Sequence, residues 1–212
     1  MFLEENKKIK LILASASPRR SGILKLLKIN FEVIPPFNCI EEVFEDPYVT
    51  VIRNSIKKTK NVADYVRIKK IKISGTNNYK DIIICGFDTI VYFKNKYFFK
   101  PKNIEEAKDF ISSFSGKTHS VISGVSIYSH TEDRVETGFE ETRVTFRKLR
   151  GKEIDYFLSN DYFLDKAGAY NIEGYGAFLV KRINGCFFNV AGLPIYRFLS
   201  ILNRFGYDLN NF

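Results

Sequence analysis

Apolar positions along this chain alternate between two rhythms. Ile9 to Ala14 and Phe31 to Ile34 are short bulky runs followed by turn-forming residues, which predicts two strands, the second ended by Pro35-Pro36. Between them, Ser17-Pro18 reads as an N-cap followed by the first helical position, where proline is tolerated. Leu24, Leu26 and Leu27 form the apolar face predicted for that helix. Residues 47–66 carry a broken helical pattern, with Val51, Ile52, Ser55, Val62 and Ala63 facing inward, and the polar stretch 69–80 predicts an extended loop. Ile82-Ile83-Ile84-Cys85 is continuously apolar, as in a central strand buried on both faces. Two short runs around Lys94-Asn95 predict a hairpin over residues 89–99. Asn103-Ile104-Glu105-Glu106 resembles a capping box opening a helix that ends near Gly116. Residues 119–128 and 140–146 alternate like antiparallel strands, and 153–158 is helical. Residues 178–183 and 187–190 read as strands around a turn at Gly185, and Pro194 opens a last helix. Helices and antiparallel strands interleave throughout, which predicts a mixed α/β fold.

Composition narrows the picture. The chain has 212 residues, 45% apolar and 15% aromatic, enough for one sizeable core or two small lobes and too much burial capacity for a disordered chain. No apolar run approaches the ~20 residues that span a bilayer, and Met1 to Lys8 lacks the order of a secretory signal. Cys39, Cys85 and Cys186 have no metal-ligand spacing, so buried free thiols in a reducing compartment are expected. The net charge of +9 fits scattered lysines or a basic site for a small polyanion. The densest cluster, Arg67 to Lys72, has no interleaved aromatics, which argues against a single-strand-binding surface.

Four groups of residues are suited to chemistry. Ser15, Ser17, Arg19 and Arg20 surround a strand-to-helix junction, where unpaired N–H groups and fixed guanidinium forks favour an anion. The bland alternative is an ordinary capped helix. Asp88, placed at the end of the buried run, is suited to a divalent cation or a reacting water, or merely to starting a turn. Glu41-Glu42 offers hard oxygen ligands in a basic protein, or a solvated loop pair. Lys58, Lys100 and Lys166 are basic, the last two pinned beside proline or glycine. His119 and His130 stand alone and read as structural or surface residues, which argues against a nucleophilic triad.

These segments resemble a known family. LILASASPRR at 11–20, GFDTIV at 86–91, FKP at 99–101, SGKTHSV at 115–121, DKAGAY at 165–170 and NVAGLP at 189–194 are similar, in order and spacing, to the signatures of the Maf proteins. The stretch 138–146 is similar to eukaryotic members. The resemblance covers nearly the whole chain. It implies one Maf/inosine-triphosphatase-like domain over 1–212, an elongated mixed sheet with flanking helices and two lobes around a deep central cleft. It implies a cytoplasmic pyrophosphatase, a divalent cation (Mg²⁺ or Mn²⁺) and a homodimer, with no membrane or nucleic-acid partner. The activity expected is hydrolysis of a nucleoside triphosphate to monophosphate and pyrophosphate. Asp88 takes the catalytic position, with Glu42 as second carboxylate and metal ligand. Ser15, Arg19, Arg20, Lys58, Thr89, Lys100, Lys166 and Glu173 are implied to touch the nucleotide. A short insertion over residues 35–60 leaves Glu41 and Lys57 as alternatives to Glu42 and Lys58.

Arg19 and Thr89 match the dTTP/UTP class of the family, whereas Glu173 matches the 7-methyl-GTP class, where the pyrimidine class has Gln. An ionised Glu only accepts hydrogen bonds, so it suits a donor-rich purine edge better than a uracil O4. Phe87 is a second departure, since a small residue is usual before the aspartate. A non-catalytic nucleotide- or nucleic-acid-binding regulator of division is the competing expectation, motivated by the charge.

Overall fold

The computed structural model describes residues 8–68 and 79–212. Residues 69–78 of the predicted loop and most of the basic cluster at 67–72 therefore lie outside the described residues. Contacts divide the chain into two compact units. The first comprises Met1–Asp88, Gly124–Phe139 and Ile195–Phe212, and the second Thr89–Ser123 and Glu140–Pro194.

The strands are β1 (Ile9–Ala14), β2 (Phe31–Val33), β3 (Asp81–Phe93), β4 (Lys96–Phe98), β5 (Thr118–Ser129), β6 (Arg134–Phe146) and β7 (Val180–Asn184). The helices are α1 (Pro18–Leu26), α2 (Pro47–Ile68), α3 (Ile104–Phe114), α4 (Gly151–Asn160), α5 (Phe187–Val190) and α6 (Ile195–Leu202). The strand order is β2-β1-β3-β5-β6-β7, with β4 paired to β3. β1 pairs in parallel with both β2 and β3, while β3–β4 and β6–β7 are antiparallel. The fold is mixed α/β, as the interleaved rhythms predict.

In the first unit, β1 lies between two parallel neighbours, which explains why Leu11 to Ala14 are all buried. Ile12, Ala14 and Ile84 pack with Val62, Ala63 and Val66 of α2. α2 is continuous over 22 residues, and its inner face includes Val51, Ser55, Val62 and Ala63 as expected, with Ile52 half-buried. Leu24 is buried, but Leu26 is 72% exposed and Leu27 is also exposed. Ile23 takes the inward position instead, because α1 is only nine residues long and buries a single short edge.

In the second unit the core is aromatic. Phe98, Phe114, Phe146, Phe157, Phe163 and Tyr170 belong to one buried cluster. Phe114 lies 4.8 Å from Phe98 and 5.8 Å from Phe146 by ring centroids, in the tilted and edge-on arrangements aromatic quadrupoles favour. The Lys94-Asn95 turn has positive φ at both residues (49° and 58°), the backbone of a tight hairpin. Asn103 caps α3 by accepting the Glu106 N–H at 2.9 Å.

Two expectations fail here. β3 runs unbroken from Asp81 through Phe93, so Asp88 lies within a strand rather than at its end. Residues 187–190 form the helix α5, not a strand. The β-favouring Phe187, Phe188 and Val190 yield to the tertiary demand of Asn189. That side chain is fully buried and donates to the Val121 carbonyl and to Thr142 Oγ1, both at 3.0 Å. All three cysteines are free; Cys85 is buried and the other two are half-buried. No helix among the described residues is long and apolar enough to cross a membrane.

Candidate functional site

The first unit gathers a set of polar side chains around Asp88. Period-two alternation along β3 gives Gly86 and Asp88 one face and Phe87 the other. α2 packs on the Gly86 face at backbone distance. A Cβ on Gly86 would sit 2.3 Å from Thr59 Oγ1 and 2.9 Å from the Ser55 carbonyl oxygen. A Cβ on Gly124 of β5 would sit 2.1 Å from the Val51 carbonyl oxygen. Glycine at both positions lets α2 lie against the strands, and this brings the next residues of its inner edge to Asp88.

Asp88 is 4% exposed. Lys58 Nζ donates to its Oδ1 at 2.6 Å, and Asn54 Nδ2 donates to its Oδ2 at 3.3 Å. Lys58 also donates to Glu41 Oε1 at 2.6 Å, so one ammonium joins two carboxylates. Glu42 lies elsewhere: its carboxylate meets Lys57 at 2.5 Å on the exposed side of the loop. That hydrogen bond holds the Glu42 carboxyl below its usual range and raises Lys57. Of the two pairs left open by the insertion, Glu41 with Lys58 adjoins Asp88, and Glu42 with Lys57 faces solvent.

The β1–α1 junction contributes the third part. Pro18 opens α1 after Ser17 in extended backbone, but the Ser17 side chain makes no cap bond. Ser15 does the local work: its buried Oγ accepts the Ser17 N–H at 3.2 Å and an Arg20 N–H at 3.1 Å. The Arg20 guanidinium sits 5.7 Å from the Phe87 ring centroid. Burial lowers its pKa to about 10, with the Asp88 charge opposing, so Arg20 is cationic at neutral pH. Phe87 itself is fully buried against Phe198 of α6, 6.1 Å between centroids. Its departure from a small residue is thus absorbed by packing.

Asn54 is a residue that sequence reading passes over. It is 3% exposed and, besides Asp88, binds Glu42 twice: Oδ1 accepts the Glu42 N–H and Nδ2 donates to the Glu42 carbonyl, both at 2.9 Å. Asn61 grips Phe37 in the same way, at 2.8 and 3.0 Å, and Thr50 Oγ1 accepts the Phe44 N–H at 3.0 Å. Thr50, Asn54 and Asn61 fall at helical spacing along one stripe of α2 that also holds Lys58. The available signal was that spacing: Asn54 stands one turn before Lys58 and beside the inward-facing Val51 and Ser55.

Arg19 stands on α1 in the first unit and is half-buried, and the other predicted residues belong to the second unit. Thr89 Oγ1 and Ser123 Oγ are hydrogen-bonded at 2.8 Å. Lys100 is exposed. Lys166 is 6% exposed, 3.1 Å from Asp165 and 3.7 Å from Asp161, with its Nζ 5.3 Å from the Tyr162 ring centroid. Glu173 is exposed, and its backbone N–H donates to Asn171 Oδ1 at 3.3 Å. Four of the six sequence motifs interlock here. The Phe99 carbonyl accepts the Gly168 N–H at 3.1 Å, His119 Nε2 bonds Tyr170 Oη at 2.8 Å, and Asn189 reaches Val121. His119 is buried, as a structural histidine should be, and His130 is exposed.

Among the described residues no group of three or more histidine, cysteine or acidic side chains converges as a ready-made metal cage. The Asp88–Glu41 pair nonetheless fits a hard divalent cation. Both carboxylates already share one positive group, Lys58, and Mg²⁺ is commonly held by one or two carboxylates completed by substrate phosphates and water.

The chain matches the family model described as Maf-like protein over residues 10–205. It is 38% identical over 200 residues to the dTTP/UTP pyrophosphatase of Caldicellulosiruptor bescii, covering 94% of this chain and 96% of that protein. It is 36% identical over 205 residues to the dTTP/UTP pyrophosphatase of Dictyoglomus thermophilum, covering 95% and 99%. A HAM1 protein from Coxiella burnetii superposes with a TM-score of 0.42 at 13% identity, covering 81% of this chain and 91% of that one. The matched stretch of the family model contains the Ser15–Arg20 junction, the acidic loop, Lys58 and Asp88 together, and on that match this chain belongs to the Maf family.

Proposed function

We propose that this protein is a nucleoside-triphosphate pyrophosphatase acting on dTTP and UTP, and that Asp88 is its catalytic carboxylate. The observation that carries the reading is the buried Asp88 joined through Lys58 to Glu41, in the same unit as the Ser15–Arg20 junction. This supplies carboxylates for a water and cationic groups for phosphoryl oxygens, in a chain whose relatives are named for that activity. Asp88 orients the attacking water and accepts its proton. Glu41 is the second acidic group, in preference to Glu42. Arg20, Lys58 and the N–H groups at the start of α1 stabilise charge on the phosphate chain. Asp88 and Glu41 hold the divalent cation, which when bound offsets the negative charge developing on the phosphates.

Thr89, Lys100, Lys166 and Glu173 are assigned to the nucleotide on the family resemblance alone. Arg19 and Thr89 support a pyrimidine, and Glu173 is the departure. Its side chain is exposed, so solvent satisfies its acceptors and it imposes little penalty on a uracil edge. The three free thiols fit a reducing, cytoplasmic setting.

The test is pyrophosphate release from dTTP, UTP, CTP and 7-methyl-GTP, with Mg²⁺ and with chelator. Metal-dependent release from dTTP and UTP is expected. Preference for 7-methyl-GTP, reversed by Glu173→Gln, would move the assignment to the methylated purine. No release from any nucleotide would defeat the enzyme reading.

A further inference from the structure

The polar stripe of α2 does more than carry Lys58: it also meets the main chain of the neighbouring loop. Segment 37–44 carries the acidic pair, yet it contains no strand or helix of its own among the elements of the fold. Main-chain groups without such partners need others. Here side chains of α2 supply them. Asn61 bonds both the N–H and the carbonyl of Phe37, Asn54 bonds both those of Glu42, and Thr50 accepts the N–H of Phe44. Asn54 differs from the other two. The Nδ2 that holds the Glu42 carbonyl also donates to Asp88, so one buried amide touches both the acidic loop and the catalytic strand.

We propose that Asn54 is a positioning residue for the reaction: it sets the backbone of the Glu41-Glu42 loop at a fixed distance from Asp88. The role rests on the pyrophosphatase reading above. A primary amide is suited to it. Its two N–H groups point to two different acceptors while its oxygen takes the Glu42 N–H, so three directional bonds fix one side chain. A hydroxyl is too short to span both partners, and a carboxylate has no donor for either the Glu42 carbonyl or Asp88. Lys58 cannot replace it, since its bonds to Glu41 and Asp88 come from a long stem with rotatable donors. Asn61 provides an internal control, with the same two-point grip on the same loop two helical turns further along.

The test compares Asn54→Leu with Asn61→Leu. Leucine matches the shape of asparagine and removes only its hydrogen bonds. Two quantities are read: dTTP turnover with saturating Mg²⁺, and amide exchange at Glu42 and Phe37 in the substrate-free protein. Asn54→Leu is expected to lower kcat by about 10- to 100-fold, the scale of a small misplacement of reacting groups, while KM for dTTP changes by less than about threefold. Its Glu42 amide should exchange at least about tenfold faster than in the wild type. Asn61→Leu should speed exchange at Phe37 and keep kcat within about twofold. If thermal melting shows that Asn54→Leu does not fold, Asn54→Ala is measured by the same two readouts. Unchanged kcat in a folded Asn54 variant, or equal losses of kcat in the Asn54 and Asn61 variants, overturns the positioning role alone. Absence of turnover in the wild-type protein overturns the pyrophosphatase reading and this role with it.

Discussion

The acidic loop of the first unit and the aromatic core of the second are each ordered by different physics. Around the acidic loop of the first, specificity comes from directional bonds: Lys58 and Asn54 to Asp88, Asn54 to Glu42, Asn61 to Phe37. Inside the second, it comes from aromatic volume, with Phe114 ringed by Phe93, Phe98, Phe146 and the stacked His119. Hydrogen bonds fail sharply with small displacements, whereas ring packing tolerates them and resists loss of volume. A reaction centre needs the first kind of restraint, because its groups must meet at fixed distances. The difference teaches that damage should be separable: activity without stability in one unit, stability before activity in the other.

The sharpest way to break that separation is Asp88→Asn. We expect kcat to fall by roughly 10²- to 10⁴-fold with an unchanged circular-dichroism spectrum and a melting temperature close to wild type. A matching collapse of the fold would show that Asp88 is a structural ion pair first. The counterpart is Phe114→Ala, which opens a hole in the aromatic cluster. It should cost about 3–5 kcal/mol of unfolding free energy in denaturant titrations. Residual activity per folded molecule should remain near wild type.

Next comes the acidic pair. Glu41→Gln removes a carboxylate that shares Lys58 with Asp88 and should lower kcat by roughly 10- to 100-fold. Glu42→Gln removes only an exposed pairing with Lys57, so kcat should stay within about threefold. A larger loss from Glu42→Gln would exchange the two assignments. The last comparison concerns His119. Burial lowers its pKa to about 3, against an ordinary value near 6.5. The folded protein therefore keeps the ring neutral, and the stability this provides is complete above pH 6.5. It is lost as pH falls from there towards 3, at up to about 1.4 kcal/mol per pH unit. Melting curves over that range should flatten in His119→Phe, which keeps the stack on Phe114 and removes the titration. An unaltered slope would assign the acid sensitivity to other groups.

Local signals that need one partner were legible in the chain. Ile9 to Ala14, the run at 82–85, the Lys94-Asn95 turn and the Asn103 cap all form where the pattern puts them. Asp88, Lys58 and Arg20 carry strong local chemistry and short motifs, and the structure brings them into one unit. What escaped depended on distant contacts. Leu26 and Leu27 look inward on a helical wheel, but α1 is too short to cover them. Residues 187–190 favour a strand until Asn189 finds Val121 and Thr142. Glu41 and Glu42 are indistinguishable by type, and only the course of the loop decides which one meets Lys58. Asn54 looked like any polar helix residue, because its two partner residues are 12 and 34 positions away in sequence.

The grip of α2 on the loop extends the usual pattern of tolerated change to a loop that carries an acidic pair beside Asp88. Loops ordinarily vary and the inner faces of helices do not. Here the loop is held by its peptide groups, which every amino acid except proline supplies in full, so the side chains at Phe37 and Glu42 are open to replacement without release of the backbone. The constraint has moved to the helix, and onto amides rather than hydrocarbons. A saturation library over 37–61 should therefore show its intolerant polar positions at 41, 54 and 58, the last two on the helix, with proline as the one broadly forbidden letter at 37 and 42.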